Sequence, residues 1–115
     1  MVTIYHNPRC SKSRETLALL QARGIEPEIV RYLETPPDAE RVAILLKKLG
    51  MSSVRQLMRS KEDLYRELDL GRETLSETTL LETLVANPKL LERPIVINGE
   101  HARIGRPPEA VLEIL

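Results

Sequence analysis

The strongest constraint on the fold lies in residues 2–33, which read strand, helix, strand. Val2-Thr3-Ile4-Tyr5 is rich in β-formers and predicts a short strand. His6-Asn7-Pro8-Arg9-Cys10-Ser11 has turn chemistry, after which Thr16, Leu17, Leu20, Ala18 and Ala22 fall at helical spacing until Gly24. Pro27-Glu28-Ile29-Val30-Arg31-Tyr32-Leu33 predicts a second strand. A βαβ unit of about 30 residues closes with a right-handed crossover, which makes the two strands parallel neighbours.

From Thr35 to Leu91 the signals are helical and repeatedly capped. Thr35 is placed to cap a helix whose first position is Pro36, and Val42, Leu45, Leu46 and Leu49 form its apolar stripe up to Gly50. Ser53 with Gln56 is a capping-box pair, Ser60 precedes an acidic first turn, and Leu75 and Leu80 bracket Ser76 as a hydrophobic staple. Asn87-Pro88 closes that last helix. Ile95-Val96-Ile97 and Ala102-Arg103-Ile104 then flank Asn98-Gly99, a hairpin dipeptide, and Pro107 opens a final helix with Val111, Leu112 and Leu115 on one face. The order predicts an α/β fold, a mixed four-stranded sheet with helices against it.

At 115 residues the chain is the size of one domain and needs no disulfide or metal staple to bury a core. With neither Phe nor Trp, that core is filled by Leu, Ile and Val. Seventeen Lys+Arg balance seventeen Asp+Glu, which argues against binding nucleic acid or an anionic membrane, since both need a basic surplus. The N-terminus lacks the features of a secretory signal, and a cytoplasmic monomer is expected. One cysteine forbids an internal disulfide and a thiolate zinc cluster, and His6 and His101 do not rebuild one, so no metal is expected. Twelve of the seventeen cations are Arg, whose planar fork suits oxyanions.

Ligands of open α/β sheets collect at the carboxyl ends of parallel strands, and the loop after the first strand holds that cysteine, Cys10. Cys10 falls at or just before the start of the first helix, where unpaired N–H groups and the helix dipole favour a thiolate. Arg9, Lys12 and Arg14 are the cations adjacent in sequence, His6 could add a proton donor or acceptor, and Ser11 and Ser13 offer hydroxyls. The same N–H groups can cradle a tetrahedral oxyanion, provided arginines from elsewhere in the chain relieve its repulsion from the thiolate.

Four separated segments, His6-Asn7-Pro8-Arg9-Cys10, Leu57-Met58-Arg59, Glu92-Arg93-Pro94-Ile95-Val96 and Gly105-Arg106-Pro107-Pro108-Glu109, resemble the glutaredoxin-coupled arsenate reductase (ArsC) family, in order along the whole chain. The tract from His6 to Arg14 is most similar to the short YfgD-like branch. The resemblance implies one thioredoxin-like domain over residues 1–115, with a helical insertion at about 36–91 and a cis Arg93–Pro94 bond. It implies that Cys10 is catalytic, that Arg59, Arg93 and Arg106 bind the arsenic oxygens, and that His6 and Ser13 help hold the thiolate. In the implied reaction Cys10 attacks arsenate, glutathione reduces the arsenic, glutaredoxin resolves the mixed disulfide, and no bound cofactor takes part. The residues after Cys10 are Ser11-Lys12, where the best-known members carry Gly-Thr.

Two other readings remain open on the sequence. An Spx-like module that docks on RNA polymerase shares the fold, but its switch uses Cys-x-x-Cys where this chain has Ser13 at the second position. A monothiol enzyme acting on glutathione mixed disulfides would need the cysteine and not Arg93 or Arg106.

Overall fold

The computed structural model describes residues 1–115. β1 (Val2–Tyr5) is followed by α1 (Ser11–Ala22) and β2 (Glu28–Val30), and β2 lies parallel to β1 with Ile4 opposite Ile29. β3 (Ile95–Asn98) pairs antiparallel with β1, Ile4 opposite Val96, and β4 (His101–Ile104) pairs antiparallel with β3. The sheet order is β2-β1-β3-β4, the mixed four-stranded α/β sheet expected from the element order and the thioredoxin-like fold implied by the resemblance. Alternation along the strands turns Ile4 and Val96 to one face, where they meet Leu20 of α1 and Val111 to form a buried core, with Val2, Leu17, Ile25 and Ile114 packed on it. No helix is long and apolar enough to cross a membrane.

The chain divides into two compact units, Met1–Thr35 with Arg93–Leu115, and Pro36–Glu92. The second holds α2 (Ala39–Leu49), a 3₁₀ turn (Val54–Leu57), α3 (Asp63–Glu67), α4 (Glu77–Ala86) and a short turn at Pro88–Leu90. Several expected stops and caps are present. Gly50 ends α2 in the left-handed conformation, Ser53 and Gln56 cap the 3₁₀ turn reciprocally, and Ser76 Oγ accepts from the Thr79 N–H at the start of α4. Two caps are not where the spacing put them. Asp38, not Thr35, caps α2 by accepting from the Arg41 N–H, because Pro37 biases Pro36 away from helical backbone. Glu62, not Ser60, precedes α3, since Glu62 N–H donates to the Arg59 carbonyl and residues 59–62 form a turn of their own.

Three further boundaries differ. β2 is only three residues long, because the chain turns at once, with Glu34 and Thr35 N–H groups donating to the Arg31 carbonyl. The hairpin turn is Gly99-Glu100, Gly99 at φ 62°, and Asn98 stays in β3 opposite His101. The closing segment, Pro108–Ile114, is a 3₁₀ helix, so its inward residues recur every third position. Pro108 and Val111 are buried and Ile114 packs on the core, whereas Leu115 is exposed.

Candidate active site

Cys10 is the N-cap of α1. The strand β1 ends at Tyr5, and the His6 N–H bridges to the Val30 carbonyl of β2 at 2.8 Å, which carries the chain past the sheet edge before it turns. Asn7 closes that turn: its side-chain oxygen accepts from the Arg9 N–H at 3.0 Å and its carbonyl from the Cys10 N–H at 3.0 Å. The Cys10 carbonyl then accepts the first helical bond, from Arg14 N–H. N-caps are usually Ser, Thr, Asp or Asn because an oxygen must meet the free N–H groups of the first turn. Here a cysteine stands at that position, its side chain making no capping hydrogen bond, and no carboxylate in the first turn of α1 competes with it for the helix dipole.

Partial burial pushes the Cys10 thiol up, but the opposing influences outweigh it. In decreasing order these are the Ser13 N–H directed at the sulfur, the charge of Arg93, the Lys12 N–H and the guanidinium of Arg106, and together they hold the thiol below its ordinary value. Arg106 Nη1 lies 3.9 Å from Cys10 Sγ and also donates to the Arg93 carbonyl at 3.3 Å. The cations that act on the sulfur therefore come from either side of the β3–β4 hairpin, not from the residues beside it in sequence. Lys12 is ion-paired with Glu15 at 3.4 Å, Arg14 donates to the Pro8 carbonyl at 2.9 Å, and Arg9 is exposed.

Behind the sulfur sits a buried polar pair. His6 Nδ1 lies 2.7 Å from Ser13 Oγ, which also accepts from the Asn7 N–H at 3.0 Å. Burial, with the nearby charges of Arg31 and Arg14, lowers the His6 pKa and keeps the ring neutral at physiological pH. With its proton on Nε2, the ring accepts from the Ser13 hydroxyl. His6 and Ser13 thus lock the loop to the third residue of α1, whose own N–H faces the sulfur. Arg31 was not singled out in the sequence. The parallel register of β1 and β2, which pairs Tyr5 with Val30, is the signal that brings it near His6.

Cys10, Arg93 and Arg106 are thus together, with His6 and Ser13 behind them. Arg59 belongs to the second unit, where its side chain pairs with Glu62 at 3.1 Å and its N–H donates to the Leu90 carbonyl at 2.8 Å. The Arg93–Pro94 bond is cis, as the resemblance implied, and so is Arg106–Pro107, which nothing in the sequence had marked. Chemically, the cluster is an acidic thiol beside two guanidinium groups, suited to nucleophilic attack on a centre bearing negative oxygens.

The profile of the ArsC family matches residues 5–114. Uncharacterized protein YfgD of Escherichia coli (strain K12) is 65% identical over 114 residues, covering 99% of this chain and 96% of that protein. An arsenate reductase of Haemophilus influenzae is 54% identical over 114 residues, covering 99% and 98%. The solved structure of an arsenate reductase from Vibrio cholerae superposes with a TM-score of 0.97 at 56% identity, covering 99% of this chain and 97% of that one. A match spanning nearly every residue, on a chain whose cysteine caps the helix after β1, makes this protein a member of the ArsC family.

Proposed function

We propose that this protein is an arsenate reductase whose nucleophile is the Cys10 thiolate and whose electrons come from glutathione and glutaredoxin. The observation that carries the reading is the guanidinium of Arg106 at 3.9 Å from Cys10 Sγ, on a thiol already held below its ordinary pKa. Relatives named arsenate reductase at 54% and 48% identity over 114 residues support the choice of substrate.

The steps balance as follows. Cys10 sulfur attacks arsenic, an S–As bond forms, and one oxygen leaves as water after taking up protons. Arg93 and Arg106 offset the charge of the remaining oxygens, which would otherwise repel the thiolate. A glutathione thiol displaces a second oxygen as water and forms a second S–As bond. Glutaredoxin thiolate then attacks the glutathione sulfur, and the electron pair of the breaking S–As bond passes to arsenic. Arsenic falls from the +5 to the +3 state, and the two outside sulfurs leave as a mixed disulfide. Water finally displaces Cys10, and arsenite departs. The chain has no second cysteine, so both reducing thiols must come from outside. The resemblance extends the oxyanion role to Arg59, and Arg59→Ala tests that separately.

The test is a coupled assay with purified protein, arsenate, glutathione, glutaredoxin, glutathione reductase and NADPH. Arsenite should accumulate with one NADPH consumed per arsenate, and Cys10→Ser should abolish both signals. Arsenite formation no greater than that of Cys10→Ser would overturn the proposal.

A further inference from the structure

The reach of Arg106 to the sulfur depends on how closely the end of β4 lies against α1. Gly105 is buried there, its N–H donates to the Pro94 carbonyl at 2.9 Å, and the Arg106 N–H donates to the Ile104 carbonyl at 2.9 Å. A Cβ placed on Gly105 would stand 2.5 Å from Thr16 Oγ1, 2.9 Å from Pro94 Cγ and 3.1 Å from Thr16 Cγ2. None of these atoms has room to yield. Thr16 is fully buried on α1, its hydroxyl is tied to the Lys12 carbonyl at 2.8 Å, and a β-branched side chain in a helix has few rotamers to move to. Pro94 is buried and ring-closed. Any side chain at 105 must therefore push the backbone that carries Arg106 away from α1, the helix whose first turn holds the sulfur.

We infer that Gly105 is a positioning residue, and that its contact with Thr16 sets the distance at which Arg106 meets Cys10. Nothing at Gly105 touches the sulfur, so it acts only through its neighbour. The inference rests on the reading above that Arg106 serves the thiolate and the oxyanion, but it stands on thiol chemistry as well as on turnover. Gly105 is not in the left-handed region of backbone space, so the demand for glycine comes from the close approach alone.

The experiment is a double-mutant cycle read by the pH dependence of Cys10 alkylation with iodoacetamide and by arsenate kinetics. Gly105→Ala should move the titration midpoint upward toward that of Arg106→Ala. Its KM for arsenate should rise about tenfold, within the 10²-fold that an ångström of misplacement can cost. In an Arg106→Ala background the same substitution should change neither quantity further. Adding Thr16→Ala to Gly105→Ala, which removes two of the three obstructing atoms, should recover most of the loss. A wild-type midpoint and KM in Gly105→Ala, or an equal shift with and without Arg106, would overturn the inference. Should Gly105→Ala fail to fold, Thr16→Ala alone, which loosens the contact instead of crowding it, enters the same cycle with the same expected direction and dependence on Arg106. If the wild-type protein does not reduce arsenate, the alkylation midpoints still decide the role of Gly105, so the two proposals fail separately.

Discussion

The surroundings of Cys10 are built from three kinds of group that no single stretch of sequence supplies. The helix mouth provides N–H groups from Lys12 and Ser13, residues 93 and 106 provide charge, and the loop provides the buried His6–Ser13 pair. Proximity in sequence misled here. Arg9, Lys12 and Arg14 looked like the tuning cations, but helical geometry turns Lys12 to Glu15 and sends Arg14 to the Pro8 carbonyl. Arg106→Ala should lower kcat/KM for arsenate by roughly 10²–10³, the loss typical of removing one preorganised donor from an anion site. Its thiol should titrate at higher pH than that of the wild type but still be alkylated, which separates oxyanion binding from nucleophilicity. A variant with wild-type kcat/KM would remove Arg106 from the site. Ser13→Ala would strand the Asn7 N–H and the His6 ring in a buried pocket. Leaving such groups unsatisfied costs about 1–3 kcal/mol. Urea unfolding should register that loss, and an unchanged midpoint would mean that water replaces the hydroxyl.

Elements were legible where the controlling interaction is local. Gly50, Ser53 with Gln56, and Ser76 act within one helical turn, and each is where its spacing placed it. The interactions that escaped the sequence are those made at long range or by competition. Glu77, on α4, reaches the start of the 3₁₀ turn and accepts from Val54 N–H at 2.8 Å and Ser53 Oγ at 2.7 Å. Arg55 ties the same unit together by donating to Tyr65 Oη and to the carbonyls of Leu70 and Arg72. The final helix was read at a period of 3.6, and its 3₁₀ winding reflects a fit to the sheet that propensity does not encode. Part of that fit is visible at Asn98, whose side-chain amide donates to the Ile114 carbonyl at 2.6 Å. Asn98→Ala should cost about 1 kcal/mol, the usual net value of one such bond, and should speed amide exchange at residues 112–115 more than in β3. Equal acceleration in both places would point to a general loosening of the hairpin instead.

For the whole molecule, a formal net charge of +0 hides a consistent direction in its titration. His6, Cys10 and Glu77 all have pKa values lowered by the fold: His6 by burial first, Glu77 by the Val54 N–H first, and Cys10 because its N–H and arginine contacts outweigh burial. A group whose folded pKa lies below its unfolded value releases its proton more readily when folded, so the unfolded chain binds more protons and stability rises with pH. The windows follow from the unfolded values. The Glu77 contribution is complete above 4.5 and lost as pH falls through its folded value, and the His6 contribution behaves likewise below 6.5. The Cys10 contribution grows between its folded pKa and 9.0. The midpoint of thermal unfolding should therefore climb through each window. Cys10→Ser should remove the alkaline rise and leave the neutral one, while Glu77→Gln should flatten the acidic limb alone. A wild-type profile that stays level up to pH 9, with Cys10→Ser superimposed on it, would mean that the fold does not lower the Cys10 pKa, and the proposed attack on arsenate would lose the support it draws from that shift.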